Sequence, residues 1–162
     1  QNGTYYTDKI DAYLLSINLK MPINKGVIRS VALSKEYISG DKYHLGGSDG
    51  VLSGFAKPFG SSHLYHGYYD NPLHTKFSDN AHQGLNEWYI KADVLMPFKI
   101  DLVIKYHDFK DAVDINKYGS ELDFVFSKKL ILGGEIVQGF SIYFPDQGES
   151  FEAAYLMILV NI

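Results

Sequence analysis

An antiparallel transmembrane β-barrel is the all-β fold class that the sequence predicts, and three observations lead to it. From residue 85 onward, apolar residues alternate with polar or charged residues along successive segments. These segments are about ten residues or longer, which is the length of a membrane-crossing strand. The connections between them alternate between short turns and long loops. Such strands present one face to lipid and the other to an aqueous lumen.

Composition supports a folded chain and narrows the function classes. The 162 residues are 46% hydrophobic and 15% aromatic, which excludes a disordered polyelectrolyte. The formal net charge is -4, whereas nucleic-acid-binding proteins usually carry an excess of positive charge, so nucleic-acid binding is not expected. Cysteine is absent, so disulfides and thiolate metal sites are excluded. No apolar run approaches the roughly 18 residues of a spanning helix. The first residues do not have the pattern of a signal peptide. If the protein is exported, we expect its signal peptide to lie upstream or to have been removed.

Seven strands are predicted, at 11–22, 26–38, 84–98, 100–109, 118–129, 131–144 and 151–162. Alternation is clearest in the third to fifth of these, where even-numbered residues are apolar and odd-numbered ones charged: Trp88, Ile90 and Val94 against Glu87, Lys91 and Asp93; Leu102 and Ile104 against Asp101 and Lys105; Leu122 and Phe124 against Glu121 and Asp123. The last strand contains the longest apolar stretch, from Ala153 to Val160.

The connections orient these strands. Segments 21–26, 97–99 and 128–133 are predicted as tight turns, whereas 39–83, 110–117 and 145–150 are longer or richer in Gly, Asp and Pro. Outer-membrane barrels place short turns in the periplasm and long loops outside. Because such single-chain bacterial barrels have even strand numbers, we expect this chain to be the carboxy-terminal part of a longer barrel, or one chain of a barrel completed by a partner. Alternatively, residues 50–56 supply a further strand.

Residues 39–83 hold about half of the glycines and all histidines except His107. A loop of this length is unusual in a compact soluble domain. We expect it to be an extracellular loop that folds into or caps the pore, with His63, His66, Tyr68 and Asp70 at the constriction.

Four segments carry a resemblance to a known family: 63–70 (His-Leu-Tyr-His-Gly-Tyr-Tyr-Asp), 84–89 (Gly-Leu-Asn-Glu-Trp-Tyr), 105–109 (Lys-Tyr-His-Asp-Phe) and 118–123 (Tyr-Gly-Ser-Glu-Leu-Asp). In order and spacing, residues 36–162 resemble the end of the alginate-export-type outer-membrane porins. The resemblance implies a large single-chain barrel, of which this chain is about the last third. It also implies passive passage of small or oligomeric solutes. The chain departs from the family in having Tyr68 or Tyr69 where Trp is usual, and in ending on Ile162 rather than an aromatic residue.

The polar sides of the alternating strands predict which residues line the pore. The predicted lining residues are Glu87, Tyr89, Lys91, Asp93, Asp101, Lys105, His107, Glu121, Asp123 and Glu135. Acids exceed bases in this set, and acidic walls favour cations. Alternatively, the acids and bases of neighbouring strands pair and neutralise one another.

Enzyme and metal functions are not predicted. His44, His63, His66, His74 and His82 lack the spacing of a metal motif. No Gly-x-Ser-x-Gly elbow occurs, and the run Ser61-Ser62-His63 is a local coincidence. We therefore expect no catalytic residues, no metal and no cofactor.

Two rivals to the porin remain open. One is a soluble lipocalin-like or sandwich domain that binds a small ligand with its apolar faces inward. The other is a chain that contributes strands to a multi-chain outer-membrane assembly, which the odd strand count favours. Strand length favours a membrane barrel, since strands of soluble proteins are usually about 5–6 residues long. The positions of four tyrosines near the loop-side ends of the strands also favour it: Tyr89, Tyr106, Tyr118 and Tyr143. The expected partners are outer-membrane lipid and small solutes, at the bacterial outer membrane.

Overall fold

The computed structural model describes residues 2–5, 8–11, 13–40, 51–52, 84–113, 117–130 and 133–160. In these ranges the chain is all β, as predicted. The strands are β1 (Asn2–Tyr5), β2 (Asp8–Asp11), β3 (Leu14–Lys25), β4 (Ile28–Ile38), β5 (Val51–Leu52), β6 (Leu85–Met96), β7 (Ile100–Lys110), β8 (Lys117–Lys129), β9 (Gly134–Pro145) and β10 (Phe151–Val160). A 3-10 turn, Pro97–Lys99, joins β6 to β7.

Seven strands form one antiparallel sheet in the order β10-β9-β8-β7-β6-β4-β3. The chain therefore meanders across the sheet, with β5 as an excursion between β4 and β6. Within the described residues β3 and β10 are its two edges, with no pairing between them. The predicted antiparallel all-β class is confirmed, while closure into a barrel remains a prediction. A second, small sheet has the order β1-β2-β5.

The first hairpin differs from the sequence prediction. We expected a turn over 21–26, but β3 continues to Lys25 and the turn is Gly26-Val27. Gly26 has φ +60°, which a residue without a Cβ adopts readily. Pro22 is tolerated because β3 is an edge strand, and the register shifts between Pro22 and Lys25.

The alternation of short and long connections is confirmed. The links 26–27, 97–99 and 130–133 lie at one end of the sheet, here named the turn end. The links 39–84, 111–116 and 146–150 start and finish at the opposite end, the loop end. Within the segment considered as an extra strand, Val51–Leu52 forms β5, but it pairs in parallel with β2 rather than joining the large sheet. The strands β1 and β2 were not predicted.

Register sorts the side chains of the large sheet onto two faces. Directly opposed residues of neighbouring strands share a face. The face named apolar carries Leu15, Ile17, Leu19, Met21, Leu33, Ile90, Leu102, Ile104, Phe124, Phe126, Phe140, Ile142, Leu156 and Ile158. The other, named polar, carries most of the charged residues of β3 to β9, although Lys35, Asp108, Lys110 and Lys128 lie on the apolar face by register. The polar face becomes apolar at β10, through Met157 and Leu159. At its loop end a buried apolar cluster contains Ile38, Leu85, Phe109, Tyr118 and Tyr143.

Candidate functional site: the polar face

All ten residues predicted to line a pore lie on the polar face. Two cross-strand rows bring most of them together. In the first row Ser34, Tyr89, His107, Glu121 and Tyr143 are consecutive register partners, and in the second Lys91, Lys105, Asp123 and Ser141 are. Asp93 follows Lys91 along β6, and Asp101 and Glu135 lie toward the turn end. The period of two places them on one side of the sheet.

His107 is the centre of a buried charged group on this face. Its Nδ1 lies 2.6 Å from Oε1 of Glu87, and its Nε2 lies 3.3 Å from Oδ2 of Asp123. The hydroxyl of Ser141 donates to Oδ1 of Asp123 at 2.5 Å. Imidazole can donate from both nitrogens only when doubly protonated, so the two flanking carboxylates favour the cation. Each of these side chains is fully buried.

Aromatic rings hold the imidazole in place. The His107 ring lies between Tyr89, with centroids 5.0 Å apart, and Phe109, with centroids 5.5 Å apart. Phe109 in turn contacts Tyr143 at 6.5 Å. Lys105, also buried, has its Nζ 5.8 Å from the centroid of the Tyr89 ring. This packing keeps water from the charged group and fixes its geometry, because neighbouring rings limit the rotamers of the imidazole.

An open cleft of about 390 Å³ lies at the turn end of the same face. Two ion pairs contribute to its lining: Arg29 Nη1 with Asp101 Oδ1 at 2.7 Å, and Lys20 Nζ with Asp93 Oδ2 at 3.2 Å. Asp93 also meets Lys91 at 2.9 Å and accepts a hydrogen bond from Ser30 at 2.5 Å. These pairs, unlike those around His107, remain partly exposed.

The predicted lining residues therefore form two groups. Glu87, Lys105, His107, Glu121 and Asp123 are buried, whereas Tyr89, Lys91, Asp93, Asp101 and Glu135 retain accessible surface. The predicted constriction residues His63, His66, Tyr68 and Asp70 lie outside the described residues.

Sequence reasoning missed Lys20, Arg29 and Ser141. The sequence could have identified Lys20, because apolar Ile17 and Leu19 alternate with polar residues along β3, which places Lys20 on the polar face. Arg29 had none, since it lies where the β4–β6 register shifts between Ile28 and Ser30.

The face supplies fixed charges rather than a recognisable reactive centre. In the described part of the chain, no group of three His, Asp or Glu side chains is arranged to hold a metal ion. The Ser141 hydroxyl is hydrogen-bonded to Asp123 rather than to His107, which is not the pairing that activates a serine nucleophile. Among the described helical residues, none belongs to a helix long and apolar enough to cross a membrane.

Aromatic residues also mark the loop end of the apolar face. Trp88 and Tyr106 lie there with ring centroids 5.6 Å apart, and the Trp88 Nε1 donates to Asp108 at 3.1 Å. Of the four tyrosines noted in the sequence, only Tyr106 is on this face. Tyr89 lies on the polar face, and Tyr118 and Tyr143 are buried there. Trp88 supplies the second aromatic ring here.

Comparisons with protein-family models, with curated proteins and with solved structures find no match to this chain.

Proposed function

We propose that this chain forms part of an outer-membrane β-barrel whose polar face lines a channel for passive passage of small or oligomeric solutes. The observation that carries the proposal is the inverted exposure of the large sheet. On the interior strands β4 and β6, Leu33 is 50% exposed and Ile90 45%. On the opposite face Glu87, His107 and Asp123 are 0% exposed.

Water would oppose this arrangement. In water, each exposed Leu or Ile lacks the roughly 1.5–3 kcal/mol of stabilisation that its burial would contribute. For a sheet with a whole apolar face, this loss applies to every such residue. Burying charges adds a desolvation cost. A bilayer removes the first cost because lipid covers the apolar face. A soluble lipocalin-like or sandwich domain would instead turn its apolar face to its core.

Strand length and interfacial residues support the same proposal. The seven strands of the large sheet are 10 to 13 residues long. A tilted strand that crosses a bilayer needs about 9–11 residues. The Trp88 and Tyr106 rings lie at one end of the apolar face, as the aromatic girdle of a membrane barrel does.

The two edges of the sheet favour a second candidate for the form of the protein. Unpaired backbone groups in hydrocarbon each cost several kcal/mol, so β3 and β10 need further strands. Such strands belong either to more of the same chain, as the alginate-export resemblance implies, or to a partner chain in a multi-chain assembly. Mass measurement of the membrane-inserted species distinguishes these forms.

Conductance tests the proposed channel. The protein is inserted in planar bilayers, and Ser30→Trp is compared with Leu33→Trp, both on β4. Ser30 lines the cleft, while Leu33 is half exposed on the apolar face. We expect the indole at position 30 to lower single-channel conductance and the indole at position 33 to leave it unchanged. A protein that is water-soluble without detergent and gives no conductance would refute the proposal.

A further inference from the structure

Among the described residues, each tight turn at the turn end has an exposed apolar side chain within two residues of a lysine. Val27 lies two residues after Lys25, Phe98 directly precedes Lys99, and Leu130 follows Lys128 and Lys129. Their exposed fractions are 58%, 83% and 40%, respectively. The same pairing of an apolar tip with a cation thus occurs at all three turns between strands of the large sheet.

The turn at Phe98 is the clearest case. Phe98 has φ 62° and Lys99 has φ 57°. Tight hairpins with two such residues usually contain Asn-Gly, because side chains with a bulky Cβ substituent disfavour this region. Here the turn holds a phenyl ring outward. No packing in the sheet explains that position, since Phe98 is the most exposed large apolar residue of the described chain.

The charge of this end complements an anionic surface. Lys25, Lys99, Lys128 and Lys129 are exposed, and no ion pair within the described ranges engages them. Of the acids toward this end, Asp101 is paired with Arg29, and Glu135 is the register partner of Lys129, which leaves an excess of lysines. Apolar residues that enter the headgroup–acyl boundary, with lysines that reach the phosphates, are the chemistry of a membrane interface.

We infer that the turn end binds anionic phospholipid headgroups, with Val27, Phe98 and Leu130 at the acyl boundary and the lysines on the phosphates. This goes beyond the proposed channel, for which an apolar belt of any lipid is sufficient. It also does not depend on the channel, because a sheet that never crosses a bilayer would bind its surface through the same end.

Tryptophan quenching tests the inference. The chain has a single tryptophan, so Trp88→Phe provides a silent background. Phe98→Trp then reports on the turn end, and Ile90→Trp, made separately, reports on the middle of the apolar face. Each full-length variant is reconstituted in mixed vesicles. For position 98, either phosphatidylglycerol or phosphatidylcholine is brominated near the headgroup, and for position 90 the lipids are brominated deep in the acyl chains, close to the bilayer midplane. We expect the indole at position 98 to be quenched more strongly by brominated phosphatidylglycerol.

Charge removal supplies the matched comparison. A lysine close to an anionic membrane strengthens association about fivefold. In the Phe98→Trp protein, Lys99→Gln, Lys128→Gln and Lys129→Gln together should bring the two quenching values toward equality. Lys117→Gln, at the loop end, should leave their ratio unchanged.

The two proposals fail differently in this experiment. Equal, weak quenching at position 98 with both lipids overturns the inference, even if the indole at position 90 is quenched. The lysines of the turn end would then suit an acidic protein partner instead. An unquenched indole at position 90, with strong phosphatidylglycerol quenching at 98, supports the inference and counts against the membrane-spanning barrel.

Discussion

The imidazole of His107 and the carboxylate of Glu87 are paired 2.6 Å apart in a fully buried position on the polar face of the sheet. Desolvation of two charges is costly, and their attraction offsets it only when further hydrogen bonds satisfy the remaining groups. Asp123 places a second carboxylate on the other side of the ring, with Oδ2 3.3 Å from Nε2, and Ser141 donates a hydrogen bond to Oδ1 of Asp123. The polar face is therefore a fixed charge network in its centre and an accessible set of ion pairs at the turn end.

Removal of Asp123 tests the buried network. Asp123→Ala removes one of the two carboxylates beside His107 and the acceptor of the Ser141 hydroxyl, while Glu87 stays in place. Leaving a buried polar group unsatisfied costs roughly 1–3 kcal/mol. We expect that loss in the free energy of unfolding, measured with urea in lipid vesicles. Asp101→Ala is the control, because its pair with Arg29 is partly exposed and is worth about 0–1 kcal/mol. Equal losses for the two variants would contradict the network.

A charge on the apolar face tests contact with lipid. Ile90 lies mid-strand in β6 and is half exposed. Ile90→Arg should reduce the free energy of folding into vesicles by roughly 2–4 kcal/mol, since arginine at the bilayer midplane is destabilising. Lys91→Ala, the adjacent residue on the polar face, should fold nearly as well as the parent. If both variants fold normally, the apolar face does not contact lipid.

Gly139 and Tyr155 test the packing of β9 on β10. The two are direct register partners, and a Cβ at Gly139 would overlap the Tyr155 ring. Gly139→Ala should therefore lower the free energy of unfolding by about 1–3 kcal/mol, as overpacking does. In a Tyr155→Ala background the same substitution should cost much less. An unchanged cost in the double variant would show that the ring is not the obstacle.

Selectivity of the complete pore tests the acidic wall. The ten predicted lining residues together with Lys20 and Arg29 hold six carboxylates against four Lys or Arg and the His107 cation, so we expect a weak cation preference at low salt. Asp93→Asn with Asp101→Asn should weaken the preference, and Lys20→Gln with Arg29→Gln should strengthen it. Reversal potentials measure this. The effect should shrink as the Debye length falls from about 10 Å at 0.1 M to about 3 Å at 1 M salt. Anion selectivity of the parent would overturn the assignment.

Local alternation in the sequence determined the strands and their two faces. Successive side chains of a strand point to opposite sides, so Ile90 and Lys91 are separated onto different faces whatever strand is next to them. The even–odd pattern therefore predicted the apolar and polar faces of β6, β7 and β8, and the lengths of the segments between the alternating runs predicted which connections are short. The first turn was misplaced because Pro22, which usually ends a strand, is accommodated at a sheet edge.

Only the tertiary structure decided which charges are buried and what they pair with. The contacts of His107 with Glu87 and Asp123 depend on the register of β6, β7 and β8, and register is set by hydrogen bonds between residues distant in sequence. The same holds for Arg29, which the register shift in β4 brings to Asp101. A strand pattern gives the face on which a residue lies, whereas its partners follow from the alignment of whole strands.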